Sequence, residues 1–300
     1  MLWMAAPVWA HGIGGRGDLP VPLSFFVIGA GAAVVVSFVA LTLLWSQPRL
    51  QNPPPTRAHR RGPVRLLPAL RWVGLAGLAL VVAAGALDGN QTTRNISPTL
   101  VWVYFWLVVP FASAAVGNLW RWMNPWRSLA RWLNPDLPER PDIAARLGMW
   151  PATLAFLAFT WLEIVSPNGA DPRTLALAAV TYTVVLVAAT RWLGVESGLR
   201  TFDAFGNYHR LLAAISPYRL DAPAPGPGAA RVGATIERWG WLRALPSIEP
   251  ARGLTAFVLV MIGTVTYDGL SGSQWWGDVA GGLRDNVWFG TGALIGMVLL

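Results

Sequence analysis

Six apolar runs, at approximately 23–45, 69–87, 100–118, 149–166, 174–193 and 253–270, leave this chain few ways to fold. A bilayer core of roughly 30 Å is crossed by a helix of about 20 apolar residues. In hydrocarbon every backbone N–H and C=O must be satisfied internally, so a spanning segment of this kind is a helix. The expected fold class is therefore all-α, a polytopic transmembrane helix bundle of six complete spans. A seventh run begins near Val287 and is still apolar at Leu300, so the reading favours a chain cut within a truncated seventh span. With 54% hydrophobic and 13% charged residues, the composition lies outside the usual soluble range.

Arginine placement sets the expected sidedness. All 23 basic residues are arginine, and 19 of them fall in the segments 46–71, 119–148 and 191–252. Only Arg16, Arg94, Arg173 and Arg284 lie on the opposite side of the runs. Arginine-rich loops remain cytoplasmic, which predicts an outer N-terminal segment over residues 1–22 and a transmembrane domain over 23–300 with three inner loops. The net charge of +8 then points to anionic lipid headgroups and the bilayer as partners, with no nucleic acid required. The absence of cysteine excludes disulfides, Cys-ligated zinc, iron–sulfur clusters and a thiol nucleophile. His11, His59 and His209 are the only imidazoles, so a His-rich metal site is not expected, and no cofactor is assigned.

The flanking segments carry finer signals. Val8-Trp9-Ala10 fits a signal-peptidase site, yet residues 1–10 lack a basic n-region and a full apolar core. An uncleaved leader and a truncated start both stay open. Asn118 to Leu133 interleaves Trp120, Trp122, Trp126 and Trp132 with Arg121, Arg127 and Arg131, which suits a segment along the membrane surface interrupted by a turn at Asn124-Pro125-Trp126-Arg127. Residues 195–216 read as a second amphipathic helix, followed by a Pro/Gly/Ala linker at 222–228. No internal repeat is visible, which counts modestly against an inverted-repeat transporter.

Candidate site residues come mainly from the cost of placing charge in lipid, about 2.5–3.5 kcal/mol near a helix centre on insertion scales. Glu163 lies inside the fourth run, while Asp88 and Asp268 close the second and sixth. His11 and Asp18 precede the first. By the topology above, all five face the outer side and could converge on one cavity, with Glu163, Asp268 and Asp88 as catalytic candidates and His11 and Asp18 as weak metal ligands. The bland alternative puts Asp88 and Asp268 in hydrated turns and leaves Glu163 as a snorkelling or hydrogen-bonded structural residue. A divalent metal has no ligand cluster in the sequence. On the inner side, Asn124, Trp126 and Arg127 are candidates for substrate or headgroup binding, against a purely anchoring role. Asp203 to His209 is a further candidate segment, with His209 read as a solvated helix-face residue beside Arg210. Gly12, Gly14 and Gly17 match a dinucleotide fingerprint only in letters, because Asp18-Leu19-Pro20-Val21-Pro22 follows instead of a helix.

The segment His11-Gly12-Ile13-Gly14-Gly15-Arg16-Gly17-Asp18-Leu19-Pro20-Val21-Pro22 resembles the opening of a family of actinobacterial and proteobacterial membrane proteins, many labelled fenitrothion hydrolase. Ser97-Pro98-Thr99, Asn124-Pro125-Trp126-Arg127, Trp161-Leu162-Glu163 and Val265-Thr266-Tyr267-Asp268-Gly269 continue the likeness in order along essentially the whole chain. Where that family has a Gly-Glu-Ala-Phe type segment, this chain has Val195-Glu196-Ser197-Gly198. The resemblance implies a multi-pass protein of a bacterial cytoplasmic membrane, and its label implies hydrolysis of phosphotriester-type substrates. Two other readings stand beside the membrane-embedded hydrolase: a transporter or permease-like protein with Glu163 as an intramembrane carboxylate, and a non-catalytic membrane subunit.

Overall fold

The computed structural model describes residues 23–44, 67–87, 94–134, 136–221, 235–238 and 240–300. The expected runs are helical almost to the residue: α1 (Leu23–Leu44), α2 (Leu70–Leu87), α3 (Val109–Val116, entered through a wide π-type segment, Thr99–Val108), α7 (Trp150–Ile164), α8 (Pro172–Leu193), α11 (Leu254–Ser271) and α13 (Val287–Leu299). Between them come α4 (Trp120–Met123), α5 (Pro125–Leu133), α6 (Pro141–Leu147), α9 (Val195–Phe202), α10 (Ala204–Ala213) and α12 (Gln274–Ala280). Four helices among the described residues are long and apolar enough to cross a membrane: Leu67–Leu87, Thr99–Val116, Pro172–Leu193 and Leu254–Ser271. The bent pair α6 and α7, with 52° between its halves, makes a fifth if taken as one span.

The chain punctuates these helices in identifiable ways. Pro110 has no N–H to give the Trp106 carbonyl, and the turns before it are widened, with Val109 N–H bonding Tyr104 O. Gly148 makes the α6–α7 bend at φ +58°, pressed against Arg252. Asp171 caps α8 by accepting from the Arg173 and Thr174 N–H groups at 2.8 and 3.0 Å, with Pro172 at the first helical position. One departure from the all-α expectation is a two-stranded antiparallel ribbon, β1 (Tyr218–Asp221) on β2 (Thr235–Arg238), with Tyr218 opposite Arg238. Four-residue strands show too few alternations to stand out in a sequence.

The bundle exposes large apolar side chains and buries polar ones among its apolar core. Phe38, Leu154, Val184, Ile262 and Val265 are exposed, whereas Asn124, Thr160, Thr190, Asp203, His209 and Thr264 are buried. A water-soluble fold rarely shows apolar faces on this scale; a bundle solvated by hydrocarbon does. The buried threonines of α7, α8 and α11 need no outside partner, because each hydroxyl donates to a carbonyl one turn back in its own helix, as Thr160 does to Phe156 O, Thr190 to Leu186 O and Thr264 to Val260 O.

Residues 195–216 are not the single surface helix expected from their pattern. The chain breaks at Asp203 into a hairpin that enters the bundle. Gly194, at φ +87°, turns the chain back along α8, and Gly198 lies so close to Thr190 that a Cβ would fall 2.8 Å from its Cα. At the tip, Asp203 and Ala204 meet the hydroxyl of Tyr182, at the middle of α8. Helix α10 then returns beside α7: Phe205 packs edge-on against Phe159 at 4.8 Å, and Tyr208 lies tilted against Phe156 at 5.1 Å. Tyr182 stands eleven residues from the end of α8, so the tip lies roughly 16 Å into the bundle at 1.5 Å per residue.

Candidate functional site

Two helix N-termini meet at this tip. Asn124 caps α5 by accepting from Arg127 N–H at 3.1 Å, and Asp203 caps α10 by accepting from Gly206 N–H at 2.9 Å. The Asn124 amide then donates to the second Asp203 oxygen at 2.6 Å. Tyr182 donates its hydroxyl to Asp203 at 3.0 Å and accepts from Ala204 N–H at 2.9 Å. Asn124 and Asp203 are only 3% and 1% exposed, so the group is an interior one. A carboxylate set between two helix N-termini is favoured by the positive end of each dipole and by orphan N–H donors. Beside it, the Trp126 indole donates to Thr183 Oγ at 2.9 Å, which anchors the first turn of α5 to mid-α8. Asn207 closes the α9–α10 turn by donating to the Arg200 and Asp203 carbonyls.

Toward the arginine-rich end, Arg127 pairs with both oxygens of Glu196 at 2.7 and 2.9 Å, and Arg131 reaches the same carboxylate at 3.1 Å. Burial works to raise the Glu196 pKa, but the charge and hydrogen bonds of Arg127, reinforced by Arg131, hold it below the ordinary value. Glu139 caps α9 by accepting from the Glu196 and Ser197 N–H groups at 2.9 and 2.8 Å. There too partial burial pushes up, and the bonds from Ser197 and Glu196 bring the net pKa down. Arg127, Trp126 and Asn124 thus each have protein partners: an acid, a threonine and the buried aspartate.

At the opposite end, Glu163 lies beside the Trp106 indole and within electrostatic range of Asp268. Tyr208 of α10 is also within electrostatic range of Glu163. The structure therefore brings together two of the five acids and histidines expected on that side. Asp88, His11 and Asp18 lie outside the described residues, as does the 222–228 linker. Among the described residues no group of three or more His, Asp or Glu is arranged to hold a metal ion.

His209 is not the solvated residue its neighbour Arg210 suggested: it is fully buried. Its Nδ1 lies 2.8 Å from the Phe205 carbonyl, which fixes that nitrogen as the N–H donor and leaves Nε2 an acceptor. The ring stacks on Trp120 at 4.9 Å. The reversal follows from the hairpin, which turns both faces of α10 toward protein. Tyr182, Thr183, Trp106 and Tyr208 escaped the sequence reading. The Thr181-Tyr182-Thr183 trio inside an apolar run was the one available signal.

Apolar faces outward, a polar latch inside and helices of bilayer length define the chain as a helical bundle of the membrane type. No protein-family model, curated protein or solved structure matches it.

Proposed function

We propose that the chain is a multi-pass protein of a bacterial cytoplasmic membrane, N-terminus outside, with six spans and a further apolar helix, α13, working as a permease-like transporter with Glu163 as its proton-carrying group. The reading is carried by one observation: the N-termini of the discontinuous helices α5 and α10 meet at Asn124 and Asp203, halfway along α8. Broken helices whose ends converge at mid-bundle are how transport proteins place polar groups in lipid without unsatisfied backbone. Glu163 and Tyr208 extend the polar line toward the outer end, and Glu196 with Arg127 extends it inward. Purified protein in liposomes loaded with a pH-sensitive dye, driven by a potassium diffusion potential, is expected to admit protons, and Glu163→Gln to abolish the flux. Flux equal to that of protein-free liposomes, or unchanged in Glu163→Gln, overturns it.

A second reading, a membrane-embedded hydrolase of phosphotriester-type substrates, draws on the approach of Glu163 to Asp268 and on the resemblance to the fenitrothion hydrolase-labelled family. One carboxylate would activate water for attack at phosphorus, and the other would position it. Release of nitrophenolate from a nitrophenyl phosphotriester, lost in both Glu163→Gln and Asp268→Asn, supports it; no release above a protein-free control removes it.

A further inference from the structure

We infer that Arg200 and Arg210, on the two arms of the α9–α10 hairpin, form a site for a phosphate group that displaces the Glu249 carboxylate. Both arginines are tied to one side chain. Asn207 donates to the Arg200 carbonyl at 2.9 Å, and its Oδ1 accepts from Arg210 Nη2 at 3.2 Å. The two guanidinium groups lie within electrostatic range of each other. Like charges held together cost free energy unless an anion joins them.

Their present counter-charge is weak. Arg127 is met by both oxygens of Glu196, but Arg210 has no such partner among the described residues. Its contacts are the neutral Asn207 amide and, at 4.0 Å, the Met149 sulfur, both through Nη2. The acid in its electrostatic range, Glu249, pairs instead with Arg200 at 3.7 Å, and the Glu249 side chain is 84% exposed. That separation exceeds an ordinary hydrogen bond, and an exposed pair of this kind is held loosely. Two guanidinium groups thus share one exchangeable carboxylate.

The donors select the anion. Asn207 is fully engaged, donating to the Arg200 and Asp203 carbonyls and accepting from Arg210. It therefore fixes the Arg210 fork without competing for a ligand, and leaves the Nη1 and Nε donors for one. Arg210 is half-buried, where a charge-assisted hydrogen bond is stronger than in water. A phosphate group carries more oxygens than a carboxylate, arranged in a tetrahedron, so a single group can meet one fork on each side. A lipid headgroup and a soluble phosphate present the same chemistry. The site goes beyond the transport reading and stands without it.

The thermal unfolding midpoint of the full chain in uncharged detergent tests the site, since a ligand of the folded state raises it. One arm adds inorganic phosphate, with ionic strength held by chloride. The other adds phosphatidylglycerol, with diacylglycerol as the phosphate-free control. A rise with inorganic phosphate alone identifies a soluble ligand, and a rise with phosphatidylglycerol identifies the lipid. The half-saturating concentration should increase about tenfold or more in Arg200→Gln and in Arg210→Gln, as for loss of a charge-assisted contact. It should fall about two- to fivefold in Glu249→Gln, the worth of an exposed ion pair. No rise in either arm overturns the site, as does a rise equal in the parent and Arg200→Gln. The Arg200 side chain is 74% exposed, so that variant decides even where Arg210→Gln does not fold. A half-saturating concentration not lowered in Glu249→Gln overturns the displacement.

Discussion

Asp203, at the turn of the hairpin, holds three interactions that no neighbour could replace: it caps α10, takes the Asn124 amide and takes the Tyr182 hydroxyl. Removing its partner is therefore more damaging than removing an ordinary cap. Asn124→Ala withdraws the α5 cap, worth about 0.5–2 kcal/mol, and leaves one oxygen of a buried carboxylate without its donor, a further 1–3 kcal/mol or so. A double-mutant cycle with Asp203→Asn, followed by thermal unfolding in detergent, should show non-additivity of about 0.5–3 kcal/mol. Strict additivity would mean that the 2.6 Å contact carries no coupling. The two acids at the arginine-rich end give a pH dependence of definite sign. Glu139 and Glu196 both titrate below the ordinary glutamate value of 4.5 in the folded protein. Their contribution is complete above that value and is lost as the pH falls through the lowered folded values. The midpoint of unfolding should thus decline as the pH is taken below 4.5, with a shallower decline in Glu139→Gln and Glu196→Gln; equal slopes in all three proteins would refute it. Both side chains are open to screening solvent, which keeps each contribution small.

At the scale of elements, the α9–α10 hairpin rests on how closely α9 approaches α8. Gly198 faces Thr190 and the Ala189 carbonyl with no room for a Cβ. Gly198→Val should push α9 outward and cost about 1–3 kcal/mol by overpacking. Gly292→Val on α13, where an added Cβ meets nothing within 4 Å, should leave the unfolding midpoint near that of the parent. Equal losses in both variants would disprove the close-approach argument. The same hairpin marks where the sequence stops being legible. The long helices could be placed because apolar length alone decides them, and Pro172 and Gly194 delimit α8 as propensity predicts. Residues 195–216 could not be placed, since an amphipathic pattern records that one face is apolar and not whether lipid or protein covers the other. His209 illustrates the failure: its charged neighbour Arg210 suggested water, yet tertiary packing closed both sides of the helix. Asn124 was singled out from its Asn-Pro turn, and Asp203 within a candidate segment. Their contact across 79 residues is a fact of tertiary structure that no local spacing encodes.

For the molecule as a whole, every assignment of inner and outer depends on one imbalance, 19 arginines in three segments against four elsewhere. Moving that many guanidinium groups across an energised membrane opposes the potential, at about 2.3 kcal/mol per charge per 100 mV, so the arginine-rich end should stay in the cytoplasm. The chain has no cysteine, and single-cysteine variants therefore report position without background. Asn168, exposed in the turn between α7 and α8, and Asp136, exposed between α5 and α6, lie at opposite ends of the bundle. In spheroplasts, Asn168→Cys should react with a membrane-impermeant maleimide, whereas Asp136→Cys should react only after the membrane is opened. The reverse pattern would invert the molecule, placing Glu163 and Asp268 at the cytoplasmic face and the hairpin entrance outside. Labelling of both sites in intact spheroplasts would mean that α6 and α7 form no span. The 52° bend at Gly148 makes this helix pair the sharpest test, because α7 alone, at 15 residues, is shorter than the roughly 20 needed to cross the hydrocarbon core. Its crossing depends on α6 continuing the path or on the bilayer thinning around it.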